Sequence, residues 1–535
     1  MTMRQQKALQ LCRAWPALAT VLIWVLYAAA QQESAVQPAT QGRIAVDPVP
    51  NSVVFCVNFS PDGKQIALAC EDKVVRIHDW PSGKQRAVLE GHTARVWTAA
   101  FSPDGKLLAS CSGEYSQPTD TGELKLWNLE TGKEKATLKG HKGLVFSVLF
   151  APDGKTLIST GWDGTVRLWD VAQCKERTTL TDHEGSVRMA VYTPDTKSFA
   201  TAGFDGPVRF WDAATSKLLK TITAHEVGTQ CVSFSPDGRY MATCDQPGGG
   251  RPKGAIKLWD VARGAELGQL EGINAPVLMV AFSPDGATLA ACGGQYRSSG
   301  EVKLFEVASG KVRASFDGHK EWVECVRFAP GGEVLVSSGG FTQGRPGEVR
   351  AWSVWGAPGK QPERLTAQRM RLLWDRLAGP DAAEAYQALR EISAAPDDAV
   401  PFLKRSLRPI EPPDPKAAAK LIDDLDNDSF QVRERASREL EKIADQVRAA
   451  LQTAHDETNS TEMQKRTQAL LKGSDFPLSS PEQLQRIRAV EILERFATSA
   501  AKQLLQELAK GAPGALLTEQ ARGAIIRLER RGKER

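Results

Sequence analysis

The stretch GHKGLVFSVLFAPDGKTLISTGWDGTVRLWD spans residues 140–170 and contains a histidine, a serine and an aspartate: His141, Ser159 and Asp163. These are the residue types of a hydrolase triad, in which a base activates a nucleophilic hydroxyl. The same stretch has two apolar runs joined by a Pro-Asp-Gly turn, which is the pattern of a β-hairpin. An active site and a structural repeat are therefore both open, and the rest of the chain distinguishes them.

Copies of the turn motif recur along the chain. FSPDG or a near copy begins at positions separated by 42 to 49 residues: Phe59, Phe101, Phe150, Tyr192, Phe234, Phe282 and Phe328. Each copy lies between two short apolar runs, and two further runs follow it, as in TVRLWD and ERTTL. Units of four short strands that repeat every ~40–45 residues are typical of the blades of a β-propeller. The sequence therefore predicts an all-β propeller of seven blades.

The dipeptides that frame the units indicate the type of repeat. Gly-His and Trp-Asp pairs recur at Gly91-His92, Gly140-His141, Gly318-His319, Trp169-Asp170, Trp211-Asp212 and Trp259-Asp260. Residues 42–356 thus resemble a seven-bladed WD40-repeat propeller. The resemblance implies a buried Trp–Ser/Thr–His–Asp hydrogen-bond network in each well-formed blade.

Two consecutive units carry the four network residues at identical offsets. The sets are His141, Ser159, Asp163 and Trp169 in blade 3, and His183, Thr201, Asp205 and Trp211 in blade 4. An active site is rarely repeated at the same offsets in consecutive units, whereas a structural hydrogen-bond network often is. We therefore interpret both sets as structural tetrads. Indole donates, carboxylate accepts, and hydroxyl and imidazole do both, so the four groups can satisfy one another when they are buried.

The network weakens in other blades. In blade 2, Glu114 stands at the aspartate offset, while blades 5 and 7 keep the histidine, the hydroxyl and the tryptophan. His78 and Phe305 replace the tryptophan in blades 1 and 6, which are expected to rely on apolar packing. No strand pattern follows blade 7, so GRIAV at 42–46 is predicted to complete that blade and remove an open sheet edge.

The last third of the chain has a different composition. After a linker at 357–362, Ala, Leu, Glu and Arg dominate, which predicts an all-α domain over 363–535. The runs DLDNDSFQVRERASRELEKI and SSPEQLQRIRAVEILERF resemble HEAT-type helical repeats, and the whole chain resembles exported bacterial WD40 proteins with such a tail. The arginines of these helices are expected to pair with acidic residues three or four positions away.

The N-terminus predicts export. Arg4, Lys7 and Arg13 precede the uncharged run AWPALATVLIWVLYAAA at 14–30, which ends in small residues as a cleavable signal peptide does. Residues 1–30 are therefore a signal peptide or an uncleaved anchor, and residues 31–41 form a linker. We expect a periplasmic or secreted protein, or one anchored to a membrane by residues 14–30. Among the cysteines that follow the predicted signal segment, Cys231 and Cys244 flank one hairpin and are the pair that could come into contact across it.

Charge and motif content argue against several chemistries. The net charge is only +4, which gives no electrostatic reason to expect nucleic acid as a partner. Five of the seven histidines occupy the network position, and no CxxC, P-loop or GxSxG string occurs. We therefore predict no metal, no cofactor and no enzymatic activity; an active site on the propeller face is the less favoured alternative.

Length variation between the units points to one face of the disc. It falls between the second and third strands of blades 2, 5, 6 and 7, and insertions on one face of a repeat protein often mark its binding side. Residues six and four before each repeat aromatic lie on the same face. Aromatic and arginine side chains are enriched in binding hot spots. With the inserted arginines, the predicted partner-binding set is Phe55, Arg95, Trp97, Phe146, Arg188, Trp322, Arg251, Arg297 and Arg345. The sequence thus predicts a protein–protein interaction scaffold, with a propeller that binds cell-envelope glycan as the alternative.

Overall fold

A computed structural model describes residues 43–46, 49, 52–115, 122–245, 253–295, 298–340, 346–355, 364–473, 476–478 and 480–534. These residues form a seven-bladed β-propeller followed by a helical region, which confirms the predicted fold class. The predicted signal peptide or anchor at 1–30 and the linkers at 31–41 and 357–362 lie outside the described residues.

Each blade is an antiparallel sheet of four strands in the described part of the chain. Blades 1 to 3 consist of β2 (Val54–Phe59), β3 (Gln65–Cys70), β4 (Val75–Asp79), β5 (Gln85–Leu89); β6 (Val96–Phe101), β7 (Leu107–Ser112), β8 (Glu123–Asn128), β9 (Lys133–Leu138); and β10 (Val145–Phe150), β11 (Thr156–Gly161), β12 (Val166–Asp170), β13 (Lys175–Leu180). Blades 4 and 5 consist of β14 (Val187–Tyr192), β15 (Ser198–Gly203), β16 (Pro207–Asp212), β17 (Leu218–Thr223); and β18 (Thr229–Phe234), β19 (Tyr240–Asp245), β20 (Ile256–Asp260), β21 (Ala265–Leu270). Blade 6 consists of β22 (Val277–Phe282), β23 (Thr288–Gly293), β24 (Glu301–Glu306), β25 (Val312–Phe316), and blade 7 of β26 (Val323–Phe328), β27 (Val334–Gly339), β28 (Glu348–Ser353) and β1 (Arg43–Ile44).

The N-terminal strand closes the ring, as the missing outer strand of blade 7 predicted. β1 pairs antiparallel with β28, with Arg43 opposite Ala351. The backbone pairing continues beyond the strand, because the Ala45 N–H donates to the Val349 carbonyl at 2.8 Å and the Val49 N–H donates to the Gly347 carbonyl at 3.1 Å. β1 and the bonded residues that follow it therefore cover the sheet edge that blade 7 would otherwise leave unpaired.

The repeated turn motif makes its own hydrogen bonds. In blade 1 the Ser60 hydroxyl donates to the Asp62 carboxylate at 2.6 Å and accepts from the Gln65 N–H at 2.9 Å. Gly63 adopts φ +67°, a backbone conformation that glycine takes without steric cost. This local chemistry places the turn between the first and second strands of the blade, so the repeat could be read from the sequence.

The second strand of each blade lies deepest in the propeller. In β11 the hydroxyls of Ser159 and Thr160 belong to fully buried residues, beside Leu157 and Ile158. Such a strand is covered by neighbouring blades on both faces, so its polar side chains must find hydrogen-bond partners inside the protein.

Ten helices follow in the described residues: α1 (Ala367–Leu377), α2 (Ala382–Ser393), α3 (Pro396–Ser406), α4 (Pro415–Asp423), α5 (Phe430–Glu441), α6 (Arg448–Glu457), α7 (Thr461–Gly473), α8 (Pro481–Phe496), α9 (Ser499–Leu508) and α10 (Leu516–Glu534). A 3₁₀ turn, Asp424–Asp426, follows α4. The Ser480 hydroxyl caps α8 by accepting from the Gln483 N–H, and Pro481 opens the helix, as the sequence predicted.

The helices build two hydrophobic cores. One core joins α1–α3 to α8–α10, and the other lies within α4–α7. The two HEAT-like sequence runs form α5 and α8, which contribute to different cores. The helical region is therefore interrupted by α4–α7, and its likeness to HEAT repeats remains a prediction.

The helical region packs on blades 6 and 7. Tyr386 of α2 donates its hydroxyl proton to the Val354 carbonyl and is buried in the same cluster as Trp352. The guanidinium of Arg495 lies 4.3 Å from the centre of the Trp355 ring. The Leu478 N–H donates to the Ala308 carbonyl at 2.9 Å. The contact between the two parts is therefore apolar and hydrogen-bonded, and it extends across two blades.

Four buried charges lie in this interface. Arg488 of α8 makes two hydrogen bonds of 2.8 Å to the Glu306 carboxylate of blade 6. Arg313, also of blade 6, binds Glu491 of α8 through bonds of 2.9 and 3.0 Å and reaches Glu306 at 3.3 Å. The predicted local pairing of arginines holds for Arg466, which bonds to Glu462, but Arg488 pairs across the domain boundary instead.

Burial and pairing set the ionisation of these carboxylates. Burial opposes the charged form of Glu306, but the hydrogen bond from Arg488 and the two nearby guanidinium charges outweigh it and lower its pKa to about 2. In Glu491 burial prevails over the attraction of Arg313 and raises the pKa to about 7. Removing one partner of such a group leaves a buried charge uncompensated.

The cysteines in the described residues are free thiols. Cys231 and Cys244 do lie directly opposite each other on β18 and β19, but they form no disulfide. Seven of the eight are buried, which fits a packing role.

Candidate functional site

The residue types of a hydrolase triad are held in closed networks. In blade 3 the Ser159 hydroxyl accepts from the Trp169 indole N–H at 2.8 Å and bonds to His141 Nε2 at 2.7 Å. The Asp163 carboxylate lies 3.1 Å from His141 Nδ1 and accepts the Lys142 N–H at 2.9 Å. Blade 4 repeats the arrangement, with bonds of 2.8 Å from Trp211 to Thr201, 2.8 Å between Thr201 and His183, and 3.0 Å from His183 to Asp205.

This geometry is unsuited to nucleophilic catalysis. Ser159 is fully buried, and its hydroxyl is already bonded to an indole on one side and an imidazole on the other. A catalytic hydroxyl must reach a substrate carbonyl while its base takes the proton. The network instead ties the second and third strands of a blade to the loop that enters it.

Blade 2 keeps its carboxylate, but not where the offset predicted. Glu123, at the start of β8, lies 3.2 Å from His92 Nδ1 and accepts the Thr93 N–H at 2.9 Å. Burial raises the pKa of Glu123, but the hydrogen bond to His92 and the charge of Lys125 outweigh burial and lower the pKa to about 2. Glu114 instead pairs with Arg95 at 3.0 Å. The insertion before β8 displaces the acid in sequence but not in space, and for this reason a fixed offset missed it.

The remaining blades follow the predicted decay. In blade 7, His319 bonds to Ser337 at 2.6 Å and Trp352 donates to Ser337 at 2.7 Å. Burial, together with the charge of Arg350, lowers the pKa of His319 to about 3. In blade 6, Phe305 replaces the tryptophan, and the residue after it is Glu306, the carboxylate that binds the helical region.

Seven residues form a ring around the propeller axis, one from each blade. They stand four residues before each repeat aromatic: Phe55, Trp97, Phe146, Arg188, Gln230, Leu278 and Glu324. All seven line one axial cavity of about 380 Å³. The first strand of each blade therefore contributes the equivalent residue to the cavity, and blades 1 to 3 contribute three aromatic side chains in succession.

An aromatic cluster extends outward from this ring over blades 1 to 4; its members are Phe55, Trp97, Tyr115, Phe146, Trp162 and Phe204. Phe55 and Trp97 stack with ring centres 4.4 Å apart, and Trp97 meets Tyr115 edge to face at 5.2 Å. Tyr115, Phe146 and Trp162 lie within 6.1 Å of one another, and Phe204 lies 6.0 Å from Phe146. Offset and edge-to-face pairs of this kind are favourable arrangements of aromatic rings.

Two arginines of the predicted partner-binding set, Arg188 and Arg95, lie in different surroundings. Arg188 lies over the aromatic cluster, with its guanidinium 4.6 Å from the Phe146 ring centre and its Nη1 donating to the Tyr115 hydroxyl at 2.9 Å. Arg95 is engaged within the protein, in ion pairs to Glu71 at 3.3 Å and Glu114 at 3.0 Å. The structure thus brings Arg188, but not Arg95, onto the aromatic cluster.

Trp322 is half-buried and lies on blade 7, with its backbone against Gly294 of the blade 6 loop. It stands six residues before its repeat aromatic, whereas Trp97 stands four before, so the two occupy different positions in their blades. The predicted contacts at Arg251, Arg297 and Arg345 lie outside the described residues.

Sequence reasoning missed four residues of this surface. Trp162 and Phe204 immediately precede the tetrad aspartates, in GWDG and GFDG, and Tyr115 lies in the blade 2 insertion. Glu324 shares the ring position with Phe55 and Trp97. The repeat register contained a signal for the first two and for Glu324, because equivalent positions of each blade meet on one face. Nothing in the insertion specified where Tyr115 would lie.

No group of three or more His, Cys, Asp or Glu side chains is placed to hold a metal ion in the described part of the chain.

A comparison with known families identifies the repeat. The family described as WD domain, G-beta repeat matches residues 48–79, 83–128, 132–170, 174–212, 216–260 and 310–353. Six segments of the propeller thus match WD40 repeats. The interval between the last two matches contains most of blade 6, which lacks the tryptophan and supplies Glu306 to the interface.

Short parts of curated proteins are similar to this chain. Nuclear distribution protein nudF 1 of Talaromyces marneffei is 31% identical over 93 residues, 17% of this chain and 18% of that protein. WD repeat-containing protein 1 of Gallus gallus is 38% identical over 64 residues, 11% and 10% of the two chains. Transcription initiation factor TFIID subunit 5 of Caenorhabditis elegans is 31% identical over 87 residues, 16% and 12%. The matches thus cover less than a fifth of each of these relatives.

These relatives overturn the prediction of export or membrane anchoring. They come from eukaryotes, and two of them are named for nuclear distribution and for transcription initiation. Among the residues that the structure describes, no helix is long and apolar enough to cross a membrane. The envelope setting on which glycan binding depended is lost with that prediction.

Proposed function

We propose that this chain of WD40 repeats is a non-enzymatic protein–protein interaction scaffold. Its partner binds the face that carries the inter-blade loops and the loops between the second and third strands. The observation that carries the proposal is the aromatic cluster on that face, which spans four consecutive blades.

The cluster combines exposure with a rigid arrangement. Tyr115 is 47% exposed, while Phe146 beneath it is only 4% exposed. Trp97 is half-buried, and its indole N–H donates to the Gly113 carbonyl at 3.0 Å, so its orientation is set before any partner arrives. Preorganised aromatic residues lose little conformational entropy on binding and bury a large apolar area.

The opposite face has a different character. It carries the Pro-Asp-Gly hairpin turns, whose charged residues such as Asp153 and Lys155 are exposed. The Asp153 carboxylate accepts the Lys155 N–H at 2.9 Å within its own turn. A partner gains little apolar burial on such a surface, which favours the aromatic face as the binding side.

Binding to baits that differ by one residue tests the proposal. We expect Trp97→Ala to weaken binding by about 2 kcal/mol or more, because it removes an aromatic anchor at the centre of the cluster. Asp153→Ala, on the opposite face, is the matched control. Partners captured from the source cells by the wild-type chain are identified by quantitative mass spectrometry, and their affinities for the three baits are then measured by calorimetry.

The outcomes separate the two faces. Loss of the same partners from the Trp97→Ala bait, with retention on the Asp153→Ala bait and an unchanged melting temperature, supports the proposal. Retention on Trp97→Ala together with loss on Asp153→Ala contradicts it, because the partner then uses the hairpin-turn face.

A further inference from the structure

Two cysteine thiols meet at the junction where the ring of blades closes. Cys56 of β2 and Cys325 of β26 belong to blades 1 and 7, and their sulfurs lie 4.0 Å apart although 269 positions separate them in the chain. The Val57 N–H of blade 1 also donates to the Cys325 sulfur at 3.4 Å, which holds that sulfur against blade 1. A disulfide holds its sulfurs about 2.05 Å apart. The two thiols therefore have to approach each other by about 2 Å, and a change of rotamer moves a cysteine sulfur by a comparable distance.

A small oxidant can reach this pair from the axial cavity. Cys56 lines the cavity and is 5% exposed, whereas Cys325 is fully buried. The cavity volume of about 380 Å³ is many times the ~30 Å³ that a water molecule occupies, so a molecule the size of hydrogen peroxide fits. Cys56 is therefore the thiol that meets an oxidant first.

A guanidinium group is held beside the two thiols. Arg327 Nε donates to the side-chain oxygen of Asn58 at 3.1 Å, and the Asn58 amide nitrogen donates to the Cys56 sulfur at 3.4 Å. Burial opposes the thiolate of Cys325, but the hydrogen bond with Cys56 and the charge of Arg327 outweigh burial, so the net pKa of Cys325 lies below its ordinary value. The hydrogen bond with Cys325, together with burial, raises the pKa of Cys56. The pair therefore shares a proton and keeps a thiolate, the reactive form of cysteine.

We propose that Cys56 and Cys325 form a redox-modification site, at which hydrogen peroxide produces a disulfide that locks blade 7 to blade 1. The Cys56 proton passes to the Cys325 thiolate as the Cys56 sulfur bonds to one peroxide oxygen, the O–O bond breaks and hydroxide leaves. Cys325 then gives that proton to the hydroxide, and its thiolate attacks the sulfenic sulfur of Cys56, so the S–O bond breaks and a second hydroxide leaves. The two sulfurs lose two electrons, and the peroxide ends as one water and one hydroxide.

The disulfide would reinforce the closure that β1 provides. β1 pairs with the outer part of blade 7, whereas the disulfide would join the first strands of blades 7 and 1 beside the channel. A disulfide that closes a long loop restricts the unfolded chain strongly, so we expect the oxidised form to be the more stable one. This inference is independent of the proposed function, because neither thiol belongs to the aromatic cluster.

The test uses the full-length chain, which is reduced with dithiothreitol, freed of the reductant and treated with hydrogen peroxide. Free thiols are then blocked with N-ethylmaleimide in denaturant, and the peptides are mapped by mass spectrometry. We expect a linked pair of peptides that contain Cys56 and Cys325, loss of the link on renewed reduction, and a higher melting temperature of the oxidised chain. Cys56→Ala and Cys325→Ala should each abolish both effects. Cys70→Ala, which removes a buried thiol from the next strand of blade 1, should retain both.

The mapping of the wild-type chain gives a result even if a variant does not fold. A disulfide between Cys231 and Cys244 in place of the expected one, or a sulfinic acid at Cys56 without a link, overturns the inference. A linked chain with an unchanged or lower melting temperature also overturns it, because the disulfide then does not lock the two blades. None of these outcomes affects the proposed function, which is tested by the Trp97→Ala comparison on the reduced chain.

Discussion

Asp163 shows how one buried residue serves a blade. Its carboxylate accepts from His141, from the Lys142 N–H and from the Thr165 N–H at 3.1 Å, so it joins the entering loop to the third strand. Burial raises its pKa, but the His141 bond and charge outweigh burial, and the net pKa lies below its usual value. The ionised form is therefore the one that stabilises the fold.

Removing this carboxylate should lower stability without affecting chemistry. We expect Asp163→Ala to cost about 1–3 kcal/mol, because the half-buried His141 imidazole and Thr165 N–H lose their acceptor, together with the exposed Lys142 N–H. Since the native pKa is depressed, the contribution of Asp163 is present above its ordinary pKa of 3.8 and is lost as the pH falls further. Urea unfolding at pH 7 and at pH 3 measures both effects.

Asp153→Ala is the control for this experiment, because Asp153 accepts a single exposed N–H in its turn. The difference between Asp163→Ala and wild type should shrink at pH 3. A variant with wild-type stability at pH 7 would show that the network is not structural.

A comparison of the blades shows which of their features the sequence could predict. The turn motif predicted all seven blades, because Ser, Pro, Asp and Gly act on the chain locally. The fixed offset misplaced the blade 2 acid, since an insertion separates β7 from β8 and Glu123 rather than Glu114 lies at His92. The sequence did predict that blade 6 lacks the hydrogen-bond network, because Phe305 replaces the tryptophan, but it did not show why. The residue after Phe305 is Glu306, whose partner Arg488 is 182 positions away.

Ring closure by β1 can be tested as a separable element. Deleting residues 31–50 should lower the melting temperature and promote association, because the edge of β28 is then free to pair with another chain. The deletion also removes the buried side chains of Ala45, Val46 and Val49 from a hydrophobic core that blade 1 shares with blades 2 and 7. Light scattering and thermal unfolding measure the two effects.

A synthetic peptide of residues 41–50 should restore the melting temperature of the deleted chain, and a scrambled peptide of the same composition should not. If the deleted chain stays monomeric and as stable as wild type, β1 does not contribute to closure.

Sequence periodicity predicted helices but not their assembly. A period of 3.6 residues shows which face of a helix is apolar, yet it does not show which helix covers that face. The region therefore looked like a separate domain of stacked pairs, whereas α4–α7 form their own core and α8 packs on blade 6. A propeller without the helical region would expose this interface, in which Glu306 and Arg313 lie buried.

The buried charges should make the propeller and the helical region unfold together. Arg488 bonds to Glu306 and to the carbonyls of Leu377 and Gly379, so Arg488→Ala leaves one buried carboxylate with fewer donors and two carbonyls unpaired. We expect a cost of about 3–5 kcal/mol, the range found when one partner of a buried pair is removed. Arg486→Ala is the matched control on the same helix, because Arg486 is 40% exposed and, among the residues that the structure describes, its one ion pair is with Glu482 at 3.8 Å. Exposed pairs contribute about 0–1 kcal/mol, so this variant should behave as wild type.

Denaturant unfolding is followed by near-ultraviolet circular dichroism, dominated by the propeller tryptophans, and by far-ultraviolet ellipticity at 222 nm, dominated by the helices. The two signals should coincide in wild type and in Arg486→Ala, and they should separate in Arg488→Ala as the helical region unfolds first. Coincident transitions at an unchanged midpoint in Arg488→Ala would mean that the apolar contacts of Tyr386 and Trp355 hold the two parts together without the charges.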